Sequence, residues 1–141
     1  MPDIHHQLTI QAPIAKVFAA VSTPDGLASW WTMRSSGSSE TGDTLQLYFD
    51  PEHDWKAEVV SSEPPQVLEL QMTEAMDDWL GTRILFELSS VDGQATTLKF
   101  AHLGWEELTD HFRISSYCWA NHLRCLARYL ELGEVVPYAE R

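Results

Sequence analysis

Histidine is the side chain of this protein best suited to proton transfer near neutral pH, and one histidine lies in an apolar strand pattern. His102 ends the segment 96–102, where alternate residues share the face opposite Lys99. An imidazole on that inner face can bond a ligand or act as a general acid or base. It can equally be satisfied by a neighbouring group or lie at the wet end of the strand. His122, on a later helix, is a candidate to meet it across a cavity.

Aromatic residues supply the other candidate chemistry, because six tryptophans either fill a core or form the wall of a pocket. Trp119 lies at the centre of an apolar helical stripe, which favours core packing. Trp79 and Trp105 fall in linking segments, where aromatic side chains more often lie at the mouth of a pocket.

The strand alternation predicts which side chains point inward. Together with the tryptophans they predict one continuous cavity of about 300 Å³ or more between sheet and helix. The predicted ligand-binding residues are Trp31, Phe49, Leu70, Met72, Trp79, Phe86, Phe100, His102, Trp105 and Trp119.

Patterns for metal binding or nucleophilic catalysis are missing. The pairs His5-His6 and His53-Asp54 lack a spacing such as H-E-x-x-H, and the sequence contains neither C-x-x-C nor G-x-S-x-G. The paired acids Glu106-Glu107 and Asp77-Asp78 are expected to cap a helix and solvate a turn. We therefore expect no metal, no cofactor and no assigned catalytic residue.

The two cysteines are expected to stay reduced. Cys118 and Cys125 lie seven positions apart in a predicted helix, about 10 Å along its axis, which is too far for a disulfide. Cys125 is predicted on the solvated side of that helix. Reduced thiols, with no apolar run long enough to span a bilayer and no signal sequence, predict a cytoplasmic protein without membrane insertion.

Six strands and three helices are predicted to position these side chains. Period-two patterns and turn signals predict strands at 4–11, 44–49, 56–62, 66–73, 82–90 and 96–102. Two short helices are predicted after the first strand, one ending near Ser22 and one starting after Thr23 and carrying Trp30 and Trp31. The Ser- and Gly-rich residues 34–43 are predicted to be a flexible loop that could act as a gate.

A long C-terminal helix is predicted over 106–132, with Gly133 as its stop signal. Its apolar stripe must pack on the sheet, and a set of polar side chains lies opposite. The stripe comprises Phe112, Ser116, Trp119, Leu123, Leu126 and Leu130, and the polar set comprises Arg113, Asn121, Arg124 and Arg128.

Length and charge limit the partners. The 141 residues fit one domain, 1–141, and 44% apolar residues are enough for one core. The net charge of −12 repels phosphate backbones, so nucleic acid is not an expected partner.

The order of elements and several local motifs resemble the START-like superfamily, specifically proteins related to the C-terminal domain of the Hsp90 ATPase activator. The motifs are Ile10-Gln11-Ala12-Pro13 with Val17-Phe18, Trp30-Trp31, Gly42, Val59 with Pro64-Pro65, Ala95-Thr96-Thr97-Leu98, His102, and Trp119 followed by Leu123, Tyr129-Leu130 and Gly133. The resemblance implies an α+β helix-grip fold, in which a curved antiparallel six-stranded sheet wraps around the long helix. It also implies a cavity that in various relatives holds lipids, sterols, polyketides or other hydrophobic molecules, and no common catalytic set.

Three functions follow as hypotheses. The leading one is a protein that binds a small hydrophobic or aromatic molecule. The alternatives are a START-like cyclase, dehydratase or hydrolase that uses His102, and an interaction protein of the chaperone-activator type. Relatives that stimulate Hsp90 work with a separate N-terminal domain for which this sequence has no room, so Hsp90 is not an expected partner. A homodimer is left open.

Overall fold

The structure is a computed structural model that describes residues 1–141. Seven strands, three helices and a final 3-10 turn follow one another along the chain. They are β1 Ile4–Ile10, α1 Ile14–Ser22, α2 Pro24–Ala28, β2 Arg34–Gly37, β3 Thr44–Asp50, β4 His53–Glu63, β5 Val67–Glu74, β6 Arg83–Val91, β7 Ala95–Leu103, α3 Asp110–Leu132 and the turn Tyr138–Glu140.

All seven strands form one antiparallel sheet in the order β1-β7-β6-β5-β4-β3-β2. From β2 to β7 each strand pairs with the next along the chain, as short turns favour, and β1 closes the series beside β7. Helix α3 packs on the sheet, where Trp119 lies 4.4 Å from Phe100 between ring centroids. The predicted α+β helix-grip architecture is confirmed, with seven strands in an open sheet rather than six.

The additional strand is β2, in the segment predicted to be a flexible loop. It pairs with β3 at the edge of the sheet, where Arg34 opposes Tyr48 and lies 3.8 Å above its ring, and Ser36 donates to Gln46. The four residues Arg34–Gly37 carry no apolar alternation because none of them is buried. Backbone pairing and these exposed polar contacts form the strand without burying an apolar face, so the side-chain pattern did not reveal it.

Local signals explain where the short helices begin and turn. The side chain of Thr23 accepts a hydrogen bond from the backbone of Gly26 and caps α2, with Pro24 in its first turn. A side chain at Gly26 would lie 2.6 Å from the carbonyl oxygen of Ala19, so glycine lets α2 fold back against α1. Helix α2 ends at Ala28, before the two tryptophans that were predicted to lie on it.

Helix α3 begins four residues later than predicted. Thr109 caps it by accepting a hydrogen bond from the backbone of Phe112, and Glu106 and Glu107 precede the cap instead of forming the first turn. Gly133, with a φ of 71°, ends the helix at the predicted stop.

The buried face of α3 differs in part from the predicted stripe. Trp119, Leu123 and Leu126 are buried as predicted, and the four predicted polar positions are exposed. Ser115, rather than Ser116, is the buried serine, and Cys125 lies in the core rather than on the solvated side. No helix of the protein is long and apolar enough to cross a membrane.

Candidate functional site

Five aromatic side chains form a closed ring, which we call the aromatic cage. Each member contacts the next, with centroid distances from 4.9 Å between Trp31 and Trp119 to 5.9 Å between Trp79 and Trp119. The other contacts are Trp31 to Phe49 at 5.6 Å, Phe49 to Trp55 at 5.3 Å, and Trp55 to Trp79 at 5.0 Å. Four of the five contacts are edge-on or tilted, arrangements that aromatic quadrupoles favour but that leave space between the rings.

Five different elements position the cage. Trp31 follows α2, Phe49 lies on β3, Trp55 on β4, Trp79 in the β5–β6 connection, and Trp119 on α3. Trp79 is held in place because its indole N–H donates to the Ser115 hydroxyl at 3.1 Å.

A cavity of about 160 Å³ lies against all five cage residues. The predicted continuous cavity of about 300 Å³ or more is therefore a wrong prediction for this structure. The remaining wall consists of His53, His111, Ile114, Ser115, Cys118 and His122.

The structure brings four of the ten predicted ligand-binding residues to this cavity: Trp31, Phe49, Trp79 and Trp119. The other six are buried in the core and do not line it: Leu70, Met72, Phe86, Phe100, His102 and Trp105. The alternation correctly predicted that the strand residues among them point inward. Phe100 is closed off because Trp119 packs directly on it, and Trp30 lies edge-on against Phe86.

His102 has both ring nitrogens bonded within the protein. Its Nδ1 accepts a hydrogen bond from the indole N–H of Trp119 at 3.0 Å, so the neutral ring carries its proton on Nε2 and donates to the Thr82 hydroxyl at 2.7 Å. The Thr82 hydroxyl donates in turn to the backbone oxygen of Trp79. Burial, with a smaller contribution from His111, lowers the pKa of His102 to about 3.

These bonds favour the structural alternative for His102, in which neighbouring groups in the protein satisfy the hydrogen bonds of the ring. The ring holds Trp119 and Thr82 in register and has no free nitrogen with which to exchange a proton with a bound molecule. It is also neutral at pH 7, with a pKa far below the range that suits general acid–base catalysis.

Two histidine–aspartate pairs border the cavity. His53 bonds Asp50 at 2.8 Å, and His111 bonds both oxygens of Asp78 at 2.8 Å. The ring of His111 stacks on Trp79, with 6.3 Å between centroids. Each carboxylate orients its imidazole at the edge of the cage.

His122 differs from every other histidine of the cavity wall because it has no partner. Its Nδ1 is buried and makes no hydrogen bond. Burial, with a smaller contribution from the positive charge of Arg141, lowers the pKa of the ring to about 4. His122 also lies edge-on to Trp119 at 6.1 Å, and not against His102 as the sequence suggested.

Several wall residues were missed by the sequence analysis. Trp55 and His53 lie on β4, which begins three residues before the predicted strand, and the inward alternation of Trp55, Ala57 and Val59 is the signal that could have revealed them. Ser115 and Cys118 were missed because the predicted stripe placed Ser116 rather than Ser115 on the buried face of α3, whereas His122 was already a candidate. Nowhere do three or more His, Cys, Asp or Glu side chains converge as metal ligands do.

Comparisons with known proteins agree with this architecture. The family model described as Activator of Hsp90 ATPase homolog 1-like protein matches residues 11–131. The solution structure of the Aha1 dimer from Colwellia psychrerythraea is 33% identical, with a TM-score of 0.85 over 95% of this chain and 99% of that one. Among proteins with curated descriptions, none matches this sequence.

More distant structures share the fold alone. The protein SSP2350 from Staphylococcus saprophyticus is 20% identical, with a TM-score of 0.78 over 96% of each chain. CalU16 from Micromonospora echinospora is 19% identical, with a TM-score of 0.77 over 96% of this chain and 77% of that one.

Proposed function

Because this chain belongs to the family of Activator of Hsp90 ATPase homolog 1-like proteins, whose fold does not by itself define an activity, we propose a function from its cavity: the binding of a small aromatic or otherwise apolar molecule. The observation that carries the proposal is the aromatic cage, whose five members from five elements all line one cavity. Binding sites for small molecules are typically apolar pockets of this kind, with a few polar groups in their walls.

The cavity volume limits the size of the ligand. At about 160 Å³ the space is close to the roughly 150 Å³ apolar cavity that holds benzene in an engineered protein, and well below that of a drug-sized site. A molecule with one or two rings fits this space, whereas an intact lipid, sterol or polyketide needs a larger one. The edges and faces of the tryptophans suit a flat aromatic molecule.

The geometry favours binding over catalysis. The enzyme hypothesis depended on a free His102, and both nitrogens of that ring are bonded within the protein. His53 and His111 are each bonded to a carboxylate, and no serine, threonine or cysteine side chain hydrogen-bonds either ring.

A cavity-filling substitution tests the proposal. Cys118 is half-buried on the cavity wall, so Cys118→Phe adds a ring inside the cavity. We expect the wild-type protein to bind indane, a flat bicyclic hydrocarbon, but not dodecanoate, and Cys118→Phe to weaken the indane affinity at least about tenfold. Isothermal titration calorimetry measures both affinities.

The control is Asn121→Phe, which adds the same ring to the exposed side of α3 and should leave the affinity unchanged. Thermal melts show that both variants fold. Absence of indane binding, or equal binding by Cys118→Phe, would contradict the proposal. Native mass spectrometry of the protein from its source then identifies the natural occupant.

A second candidate function is suggested by the relative from Colwellia psychrerythraea, an Aha1 dimer 33% identical over nearly the whole chain. We propose that this chain also self-associates. Light scattering coupled to size-exclusion chromatography should give twice the mass of one chain at micromolar concentration. A monomeric mass under those conditions would remove the support for this second function and leave the cavity proposal unaffected.

A further inference from the structure

His122 provides an unused hydrogen-bonding group at the aromatic cage. Only two buried side-chain polar atoms of the protein lack a partner, Nδ1 of His122 and the indole nitrogen of Trp105. Trp105 is fully buried behind the cavity wall and does not line the cavity, whereas His122 is part of the wall. Nδ1 is closed off, which leaves Nε2 as the nitrogen that a molecule in the cavity can reach.

The proton of the neutral ring belongs on Nε2. The low pKa of His122 means that the imidazole carries one proton at pH 7. A buried N–H without an acceptor costs more than a buried lone pair without a donor, so the tautomer with a bare Nδ1 is favoured. His122 therefore presents an N–H donor through Nε2.

Two neighbours reinforce the donor character of this wall. The oxygen of Ser115 accepts the indole N–H of Trp79 through one lone pair, and the hydroxyl proton of Ser115 remains available to donate. The guanidinium of Arg141 bonds the backbone oxygens of Thr32 and Ala28 and is near enough to act on His122 electrostatically. The wall around His122 thus offers hydrogen-bond donors, which suit an acceptor oxygen.

We infer that the cage selects aromatic molecules that carry an acceptor oxygen, such as aryl ketones, and that Nε2–H of His122 donates to this oxygen. The inference rests on the proposed function and makes it more specific, because the aromatic rings hold the hydrocarbon part and His122 recognises the polar atom. A ligand oxygen would take the place of solvent at Nε2, which is not among the buried atoms without a partner, while Nδ1 stays unpaired.

A comparison of two ligands in two proteins isolates this hydrogen bond. 1-Indanone and indane differ mainly by one carbonyl oxygen, and both are titrated calorimetrically into the wild-type protein and His122→Leu. The free energy of solvation of each free ligand is the same in both titrations, so it cancels when the indanone-to-indane affinity ratio of one protein is divided by that of the other. We expect the indanone-to-indane affinity ratio to fall about 3- to 10-fold in His122→Leu, as one neutral hydrogen bond predicts.

Two further variants distinguish a specific donor from a general effect. His122→Gln keeps an N–H donor on a side chain of similar length. Its indanone-to-indane affinity ratio should therefore lie between those of the wild-type protein and His122→Leu. His5→Leu removes an exposed histidine on β1, away from the cavity, and should leave the ratio at the wild-type value. An unchanged ratio in His122→Leu would overturn the inference while leaving the proposed function intact; absence of binding by both ligands would contradict the proposed function itself.

The tautomer can be observed in the wild-type protein without any variant. Long-range ¹H–¹⁵N spectra at pH 7 should show the His122 proton on Nε2, and the Nε2 resonance should shift on addition of 1-indanone but much less with indane. A proton on Nδ1 would overturn the inference. The thermal midpoint of His122→Leu should equal or exceed that of the wild type, whereas a histidine with a structural role would destabilise the fold when replaced.

Discussion

Two histidines on facing elements, His102 fully buried and His122 half-buried, have opposite environments. His102 on β7 is bonded at both nitrogens, and it links the helix to the strand through Trp119 and Thr82. On α3, Nδ1 of His122 is buried and makes no hydrogen bond. Burial keeps both rings neutral, so the difference lies in hydrogen bonding and not in charge. The first residue is part of the framework, and the second is available to a ligand.

Neutral burial of both histidines predicts acid sensitivity. Their pKa values are about 3 and about 4 in the folded protein, against 6.5 in the unfolded chain, so below pH 6.5 the unfolded state binds more protons. The stability contributed by the neutral rings is therefore fully present above pH 6.5 and is lost as the pH falls toward 4. The slope approaches about 1.4 kcal/mol per pH unit for each histidine.

Urea unfolding between pH 7 and pH 5 measures this dependence. We expect the midpoint to decrease steadily, and the decrease to be smaller in His122→Leu, which retains only His102 of the pair. A flat profile between pH 7 and pH 5 in the wild-type protein would show that neither ring is buried in its neutral form.

At the scale of elements, the deviations from prediction have a common cause. The strand β2 and the first residues of β4 lie at the open side of the sheet, where the polar or mixed side chains give a weak alternation. The start of α3 depends on the Thr109 cap, which competes with the acidic residues Glu106 and Glu107 as a start signal. Where one face of an element is fully buried, as in β5 and β6, the prediction of inward residues was correct.

The corner between α1 and α2 provides a test of packing at this scale. In an open helix, Gly→Ala stabilises by up to about 1 kcal/mol. At Gly26 the added methyl group would meet the backbone of Ala19 and Ala20 at 2.6 to 2.7 Å, so the two helices must separate. We expect Gly26→Ala to destabilise the protein by about 1–3 kcal/mol, measured by urea unfolding. A gain in stability would mean that the two helices are not in close contact.

At the scale of the whole molecule, acidic charge dominates the surface. The net charge is −12, and four ion pairs form between Arg or Lys side chains and carboxylates. Exposed ion pairs add little stability, whereas excess charge of one sign opposes the compact state. Self-repulsion is therefore a general cost for this fold.

Salt should relieve that cost. We expect the thermal midpoint to rise as NaCl increases from about 0.01 to 0.15 M, because the Debye length falls from roughly 30 to 8 Å. Glu107→Lys, at an exposed site without a partner, should raise the low-salt midpoint, and Lys16→Glu should lower it. The difference in thermal midpoint between each variant and the wild-type protein should decrease as the NaCl concentration rises. If the thermal midpoint falls when salt is added, the surface charges stabilise the fold overall, and the prediction is wrong.

Local patterns in the sequence determined the order of the elements apart from β2, the Gly133 stop and the inward faces of the central strands, because each depends on local periodicity or on a residue with one dominant conformational preference. The helix-grip architecture came instead from the resemblance to a known family. The sequence also predicts four of the five cage residues as ligand-binding residues: Trp31, Phe49, Trp79 and Trp119.

Only the tertiary structure decided which of the inward-facing strand residues line the cavity and which are covered by other side chains. Alternation indicates the face of a strand on which a side chain lies, but not what packs above it, so Phe100 and His102 could not be distinguished from residues of the cavity wall. The cage joins side chains from Trp31 to Trp119, which no local pattern links. The isolation of His122 Nδ1 is likewise an absence of contacts, and it becomes visible only when every neighbouring element is in place.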